Sequence, residues 1–435
     1  MPMNEGKVLV AIDVGTYKIV TVIARVTENI INVLGVSEVK SQGIRKGQIV
    51  DIDESVGVIN TSLEAAERMA GYSASHVVVS LGGNQIECQN SRGVVAVSTP
   101  QGEITSTDLG RVIDAAKAIS LPSTREIIHV LPRNYIVDGQ EGIKDPVGMS
   151  GTRLEVDTHI ITANSVSIRN LEKAFSEVGV DVDSFAFSGY ASSLSVLSDT
   201  EKELGVVLVD IGAATTDISV YVEGSVAYSS VLAIGARHVT NDLAIGLRLS
   251  LESAEKIKLF LSQNQTRRVV SADSDESGTP VKEQKPSDEI DLSSLNLPEE
   301  IRKVSNKTLV DGIIRPRLNE ICTMIGLEIK KSGFGGQTPA GIVLTGGGAL
   351  TVGLRESARR TLAMPVRIGL PTNVTGIIDE VQHPAFATAI GLIGYGAKNV
   401  APRSSSFKFA LPKGAGGGSS KIMKKIVNII KSFIP

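Results

Sequence analysis

Apolar residues fill positions 8–12, give way to Asp13-Val14-Gly15-Thr16-Tyr17-Lys18, and resume at Ile19, Val20, Val22 and Ile23. The pattern predicts a strand, a tight polar turn and a second strand. Val56, Ile59, Leu63, Ala66 and Met69 recur at three- and four-residue spacing, which predicts a helix over 53–70, and residues 77–81 return to strand character before Gly82-Gly83. Near residue 205 the opening repeats: apolar 206–209, the turn Asp210-Ile211-Gly212-Ala213-Ala214-Thr215-Thr216-Asp217, then alternating Ile218, Val220 and Val222. One unit is present twice.

Residues 84–163, between the copies, hold strands, a helix around 108–119 and a glycine-rich stretch at 139–151, and read as an insertion into the first copy. Residues 271–300 carry nine acidic side chains, two lysines and no aromatic. They read as a solvated mobile loop, with no structure assigned. Helical spacing returns over 309–331, and a strand at 342–344 runs into Thr345-Gly346-Gly347-Gly348-Ala349-Leu350. From 400 to 420 the chain is a Pro/Ser/Gly/Lys tether.

The last stretch has a different character. On a helical wheel, Ile422, Met423, Ile426, Val427, Ile429, Ile430, Phe433 and Ile434 share one arc, opposite Lys421, Lys424, Lys425, Asn428, Lys431 and Ser432. This predicts an amphipathic helix at 421–434. Such a helix can dock on a partner or on its own body. Its place beyond a tether, with lysines and no acidic residue, favours a layer of anionic lipid headgroups.

With 435 residues, 42% hydrophobic and 21% charged, the chain can bury large cores. Net charge is −3, so no global attraction draws it to nucleic acid. The balance is uneven, because the first 400 residues hold 37 basic against 47 acidic side chains while the rest hold seven basic and none acidic. Cys88 and Cys322 are isolated, which excludes a disulfide framework and a zinc cluster of cysteines and suits a reducing cytoplasm. The N-terminus has no signal-peptide pattern, and no stretch reaches the roughly 18 apolar residues of a membrane span.

A phosphate chain needs backbone N–H donors, a counter-ion and close approach, and a glycine turn beside an aspartate supplies these. In the first turn Gly15 allows approach, Thr16 and Lys18 offer a hydroxyl and a cation, and Asp13 can hold Mg2+ through waters. In the second, Asp210 stands at the same point, with Gly212, Thr215 and Thr216 as donors. Either turn alone also occurs as a plain hairpin. Two copies plus the later triple glycine are the layout of two subdomains closing on one nucleotide.

These residues resemble the actin-like superfamily of sugar kinases, DnaK-type chaperones and bacterial actins. The resemblance implies an α/β, actin-like (ribonuclease H-like) two-lobed fold in which the two aspartate turns bind phosphate and Gly346-Gly347-Gly348 binds adenosine. It extends the expected ATP site to Tyr17, Ala213, Ala214, Gly235 and Ala349, and to Glu255 and Lys258 on a ribose-side helix. Residues 187–192 and 384–391 look like the two helices on which the lobes hinge. Related actins begin the first of these with a Glu or Gln that positions water; here the residue is Ser188, which implies at most a slow ATPase.

Within the superfamily the chain is similar to the FtsA family, bacterial division actins that hold FtsZ to the membrane. The motifs are Gly43-Ile44-Arg45-Lys46-Gly47 with Val50-Asp51, residues 129–135, and Asp145-Pro146-Val147-Gly148-Met149-Ser150-Gly151. The implied organisation is a first lobe over 1–83 and 164–204, an inserted α+β subdomain over 84–163, a second lobe over 205–399, a linker over 400–420 and the membrane helix over 421–435. Implied partners are the FtsZ C-terminal peptide, with Arg317 and Glu320 as contacts, other copies in a filament, anionic lipids at the cytoplasmic face of the division site, and later divisome proteins. A pilus-assembly ATPase of similar architecture would lack the terminal helix. A sugar or acetate kinase would need an acidic base in the cleft.

Overall fold

A computed structural model describes residues 6–98, 102–273, 288–299, 301–377 and 381–399. The tether and the terminal helix, with Ile422, Lys424, Lys425, Ile426, Ile429, Ile430, Phe433 and Ile434, lie outside the described residues.

The internal repeat extends well beyond the two turns. In the first lobe Lys7–Val14, Lys18–Thr27 and Ile30–Lys40 form an antiparallel meander, and His76–Leu81 pairs parallel with the first of them. Asp181–Phe187 then pairs parallel with His76–Leu81. In the second lobe Val206–Ile211, Thr216–Val222 and Ser225–Leu232 repeat the meander, followed by parallel Ile342–Thr345 and Val366–Ile368. Both sheets therefore have the meander's third, second and first strands followed by two parallel crossover strands. The first carries one extra edge strand, Val374–Gly376, supplied after the second lobe is complete.

These strands are almost wholly apolar because both faces of each sheet are covered. In the first lobe Val10, Ile12, Ile19 and Ile23 pack against the helices Ile52–Ala70 and Ser165–Val178. Leu9, Ala11, Val20 and Val22 pack on the other face against Ala389, Ile390 and Ile393 of the helix Ala387–Asn399. Asp51 caps the helix Ile52–Ala70 by accepting from the Glu54 N–H at 3.0 Å, which gives the Val50-Asp51 motif a local reason.

The insertion forms its own antiparallel sheet, ordered Glu87–Ala96, Arg153–Asn164, Arg125–Val137 and Gln140–Ile143, with the helix Ser106–Lys117 against it. Ile104, Val112, Ala116, Leu154 and Val156 make a separate small core. His129 joins the insertion to the hinge: its Nε2 accepts the Phe187 N–H at 2.9 Å, and its ring meets Tyr190 and Tyr395 edge-on.

The described flanks of the acidic segment depart from expectation. The helix beginning at Leu251 runs to Asp273, and Glu289–Asp291 pairs with Lys303–Ser305. Leu292 is fully buried, with Ile290, Leu295 and Leu297 packed beside it on the second-lobe core. Within 288–299 four spaced apolar residues anchor what the acidic composition made look unstructured, and residues 274–287 and 300 of the expected loop lie outside the described residues. The expected helix at 309–331 opens with wide π-type turns over Thr308–Ile314 before α geometry over Arg315–Ser332. No described helix is long and apolar enough to cross a membrane.

Candidate functional site

The two turns close in the same way. The Gly15 N–H donates to the Lys18 carbonyl at 3.1 Å and the Gly212 N–H to the Thr215 carbonyl at 2.9 Å. Each turn follows a strand at the centre of its sheet, so both project from corresponding ends of the two lobes. They meet in one cavity of about 910 Å³. Asp13, Gly15, Thr16, Tyr17 and Lys18 line it from one side, and Asp210, Gly212, Ala213, Thr215 and Gly346-Gly347-Gly348 from the other. Glu255 and Lys258 also border it.

Among the described residues no protein acceptor meets the N–H groups of Thr16, Tyr17, Ala213, Ala214 and Gly347. A Cβ on Gly347 would meet only Ala385, so the backbone there is open to close approach. Turns that keep N–H groups unpaired beside a cleft suit an anion with several oxygens. The Gly43–Gly47 motif supports the same place: its Gly47 N–H donates to Thr16 Oγ1 at 3.0 Å, and Gly47 lines the cavity.

Charge in the cleft has the opposite sign. Burial raises the Asp13 carboxyl above its usual value, against a Ser80 hydrogen bond and Lys18. Burial and the nearby Asp13 push Asp210 up to about 6, even though Ser192 and Thr388 donate to it. Asp217 is raised well above the carboxylate range by burial and then by Asp210 and Asp13. Carboxylates that disfavour each other's ionisation gain from a cation placed among them. Among the described residues no three or more His, Cys, Asp or Glu side chains form a metal cage. The donor set fits a cation that takes its remaining oxygens from phosphate and water.

Thr216, Gly212, Ala214, Gly235 and Ala349 depart from the expected contacts. Thr216 Oγ1 donates to the Ile234 carbonyl at 2.8 Å and is fully buried, because Thr216 already belongs to the strand and points away from the cleft. The Gly212 N–H is spent within its own turn and is not a free donor. Ala214, Gly235 and Ala349 do not line the cavity. Gly235 instead backs the second turn, where a Cβ would stand 2.5 Å from the Gly212 carbonyl oxygen. Lys18 lines the cavity with its ammonium 2.5 Å from Glu38 and 4.4 Å from the Phe386 ring centroid. Glu255, Lys258 and Thr240 form a closed triad, with Lys258 donating to Glu255 at 2.8 Å and to Thr240 at 3.0 Å. Arg317 forms a two-bond ion pair with Asp242, at 2.6 and 2.9 Å, and also reaches Glu320.

Sequence reasoning missed Asp217 as a cleft residue, along with Glu38, Arg237, His383 and Phe386. Asp217 carried a usable signal, a lone acid inside a strand otherwise buried from end to end. Ser188 does line the cavity at the start of the first connecting helix, Ser188–Val196.

Similarity to known proteins covers both lobes and the insertion. Residues 83–162 match the "SHS2 domain inserted in FTSA" and residues 207–391 match "Cell division protein FtsA". The cell division protein FtsA of Pseudomonas aeruginosa is 36% identical over 395 residues, covering 91% of this chain and 90% of that protein. Among solved structures, the PilM-PilN type IV pilus biogenesis complex is similar at TM-score 0.63 and 15% identity, over 90% of this chain and 98% of that one. MreB 5 of Spiroplasma citri bound to AMPPNP is similar at TM-score 0.51 and 12% identity, over 97% and 98%. At those identities the two structures speak for an actin-like fold alone, whereas the sequence match runs the length of both lobes and the insertion: the chain belongs to the FtsA family of actin-like cell-division proteins.

Proposed function

We propose that the chain binds ATP with Mg2+ between its lobes and uses the nucleotide as a switch for a membrane-held filament that tethers FtsZ at the division site. The observation that carries this is the pair of like-built aspartate–glycine turns, both with unpaired N–H groups, on opposite walls of one cavity. Asp13 and Asp210 are the candidates to hold the cation. When bound, Mg2+ supplies charge neutralisation to the phosphates. The chain's own groups do the rest: the open N–H groups bind phosphate oxygens, Lys18 shares its charge between Glu38 and the anion, and the Thr240–Glu255–Lys258 triad presents a fixed polar wall to the ribose. With Ser188 in place of an acid or amide, turnover is slow.

The second lobe takes the FtsZ C-terminal peptide on the helix carrying Arg317 and Glu320, where Glu320 is the more exposed of the two. Residues 421–434 hold the inner leaflet, each lysine contributing about 1 kcal/mol at best. One tail attaches reversibly. A filament presents many and so attaches firmly by avidity. Other copies of the chain and later divisome proteins are the remaining partners.

The test is co-sedimentation with anionic liposomes, full chain against a chain ending at Ser420, with and without ATP, beside ATP-binding titrations of Asp13→Ala and Asp210→Ala. Lipid pelleting lost only on truncation, and Mg2+-dependent nucleotide binding weakened in both aspartate variants, is the expected result. Wild-type ATP affinity in both variants overturns the site.

A further inference from the structure

The Lys18 ammonium is held on two sides. Glu38 accepts from it at 2.5 Å, and the Phe386 ring lies against it with the centroid 4.4 Å away. All three residues line the cavity. The Lys18 side chain is 17% exposed, and a cation largely withdrawn from water is drawn to an aromatic face more strongly than one that water surrounds. Phe386 is otherwise a core residue, buried with Val20, Val22 and Ile390 between the first-lobe sheet and the helix Ala387–Asn399. Any apolar side chain of that size would serve the packing. Only an aromatic one offers a face to the ammonium.

The ring is anchored independently of the lysine it supports. Phe386 ends the short turn Pro384–Phe386, whose Pro384 carbonyl accepts the Gly346 N–H at 3.1 Å. The Phe386 N–H donates to the His383 carbonyl at 2.9 Å, and His383 Nδ1 accepts the Ala385 N–H at 3.2 Å. The support is thus tied by its backbone to the triple-glycine turn, while Lys18 rides on the first aspartate turn. A lysine without such support keeps the freedom of a four-carbon stem, and ordering that stem when a ligand binds costs affinity.

We propose that Phe386 is a positioning residue for Lys18: its ring, together with Glu38, fixes the ammonium at the cavity wall, so that the anionic end of a bound nucleotide meets a cation already in place. This rests on reading the cleft as a nucleotide site. An ammonium has three N–H donors. Glu38 takes one, and the ring attracts the charge without being a conventional acceptor, so donors remain for a phosphate oxygen. Phe386 acts through Lys18 and not on the ligand. Its effect therefore follows the phosphate charge of the ligand and disappears when Lys18 is removed. Packing alone would do neither.

The test measures the affinity of the full chain for ATP, ADP and adenosine, with thermal melting alongside, in wild type, Phe386→Leu, Phe386→Tyr, Lys18→Met and the double variant Lys18→Met with Phe386→Leu. Phe386→Leu is expected to weaken ATP and ADP roughly tenfold while adenosine stays within about twofold of wild type. Phe386→Tyr keeps the ring face and should bind all three like wild type. In the Lys18→Met background, Phe386→Leu should cost nothing further. Equal losses for adenosine and ADP, or the same loss with and without Lys18, overturn the proposal, because the ring would then touch the ligand or serve packing alone. So does a folded Phe386→Leu with unchanged ATP affinity. If adenosine binds too weakly to measure, the cycle with Lys18 decides. Should Phe386→Leu fail to fold, Phe386→Met, apolar and without a ring, takes its place. A wild type that binds none of the three ligands removes the reading of the cleft as well.

Discussion

Ser192 and Thr388 stand 196 residues apart in the chain, yet their hydroxyls are 2.9 Å from each other and both contact Asp210 Oδ2. Ser192 lies on the first connecting helix, Thr388 on the second, and Asp210 at the second phosphate turn. Two hydroxyls carry two hydrogens. Ser192 also reaches the Ser188 carbonyl at 2.9 Å, so these contacts share fewer hydrogens than they could use, while burial raises the Asp210 carboxyl to about 6. The hinge is thus laced to the turn that faces the ligand.

A stability dependence on pH follows. Between the usual carboxylate value and about 6, the folded chain keeps a proton on Asp210 that the unfolded chain releases, so stability falls as pH rises. The span corresponds to about 3 kcal/mol. Asp210→Asn should raise the melting temperature of the nucleotide-free protein, and more at pH 8 than at pH 5. Calorimetry in which Asp210→Asn melts below wild type at pH 8 would contradict the assignment.

His129 works in the other direction. Burial lowers it to about 4, so acid protonates the unfolded chain first and stability is lost as pH falls from the ordinary histidine range through 4. His129→Leu removes the acceptor for the Phe187 N–H, and an unmet buried donor costs about 1–3 kcal/mol. The variant should melt lower at pH 7.5 and show a flatter melting profile from pH 7 to 5.

The connecting helices touch backbone to backbone. A Cβ on Gly391 would stand 1.8 Å from the Ala191 carbonyl oxygen, which no side-chain rotation relieves. Gly391→Ala should cost about 3 kcal/mol or more by overpacking. Chemical denaturation measures this, and a loss under 1 kcal/mol would mean the crossing is looser than described.

Glu201 accepts from Arg367 Nε at 2.6 Å and from its terminal nitrogen at 2.7 Å. The Arg367 bonds, with help from Ser198, lower Glu201 to about 2, so the pair stabilises the fold at neutral pH and is lost as pH drops from the usual glutamate range through 2. Glu201→Gln should cost about 1–2 kcal/mol at pH 7, with no change in nucleotide affinity. A double-mutant cycle with Arg367→Ala checks the coupling.

The two lobes and their turns were legible because Asp13 and Asp210 interrupt strands that are apolar on both faces, a contrast that sequence displays directly. The inserted subdomain was legible from its place between the copies and from its motifs. Other features depend on distance in the chain. Arg317 looks like a free surface cation until Asp242, 75 residues earlier, is found holding it. Thr216 was misread because a turn and the strand after it share residue types. Asp217 was passed over because only the fold reveals that one of its oxygens has no partner. The anchoring of 288–299 rests on Leu292, one leucine among acidic neighbours, which composition averages away.

The return of the chain to the first lobe has a consequence for biosynthesis. The strand Val374–Gly376 completes, and the helix Ala387–Asn399 covers, a sheet whose other strands leave the ribosome long before them. Until they arrive, Leu9, Ala11, Val20 and Val22 present an uncovered apolar wall. The second lobe, all of whose strands fall between Val206 and Ile368, can close its sheet earlier. The half translated first is finished last, and a nascent chain stalled before residue 374 offers that wall to chaperones or to misassembly.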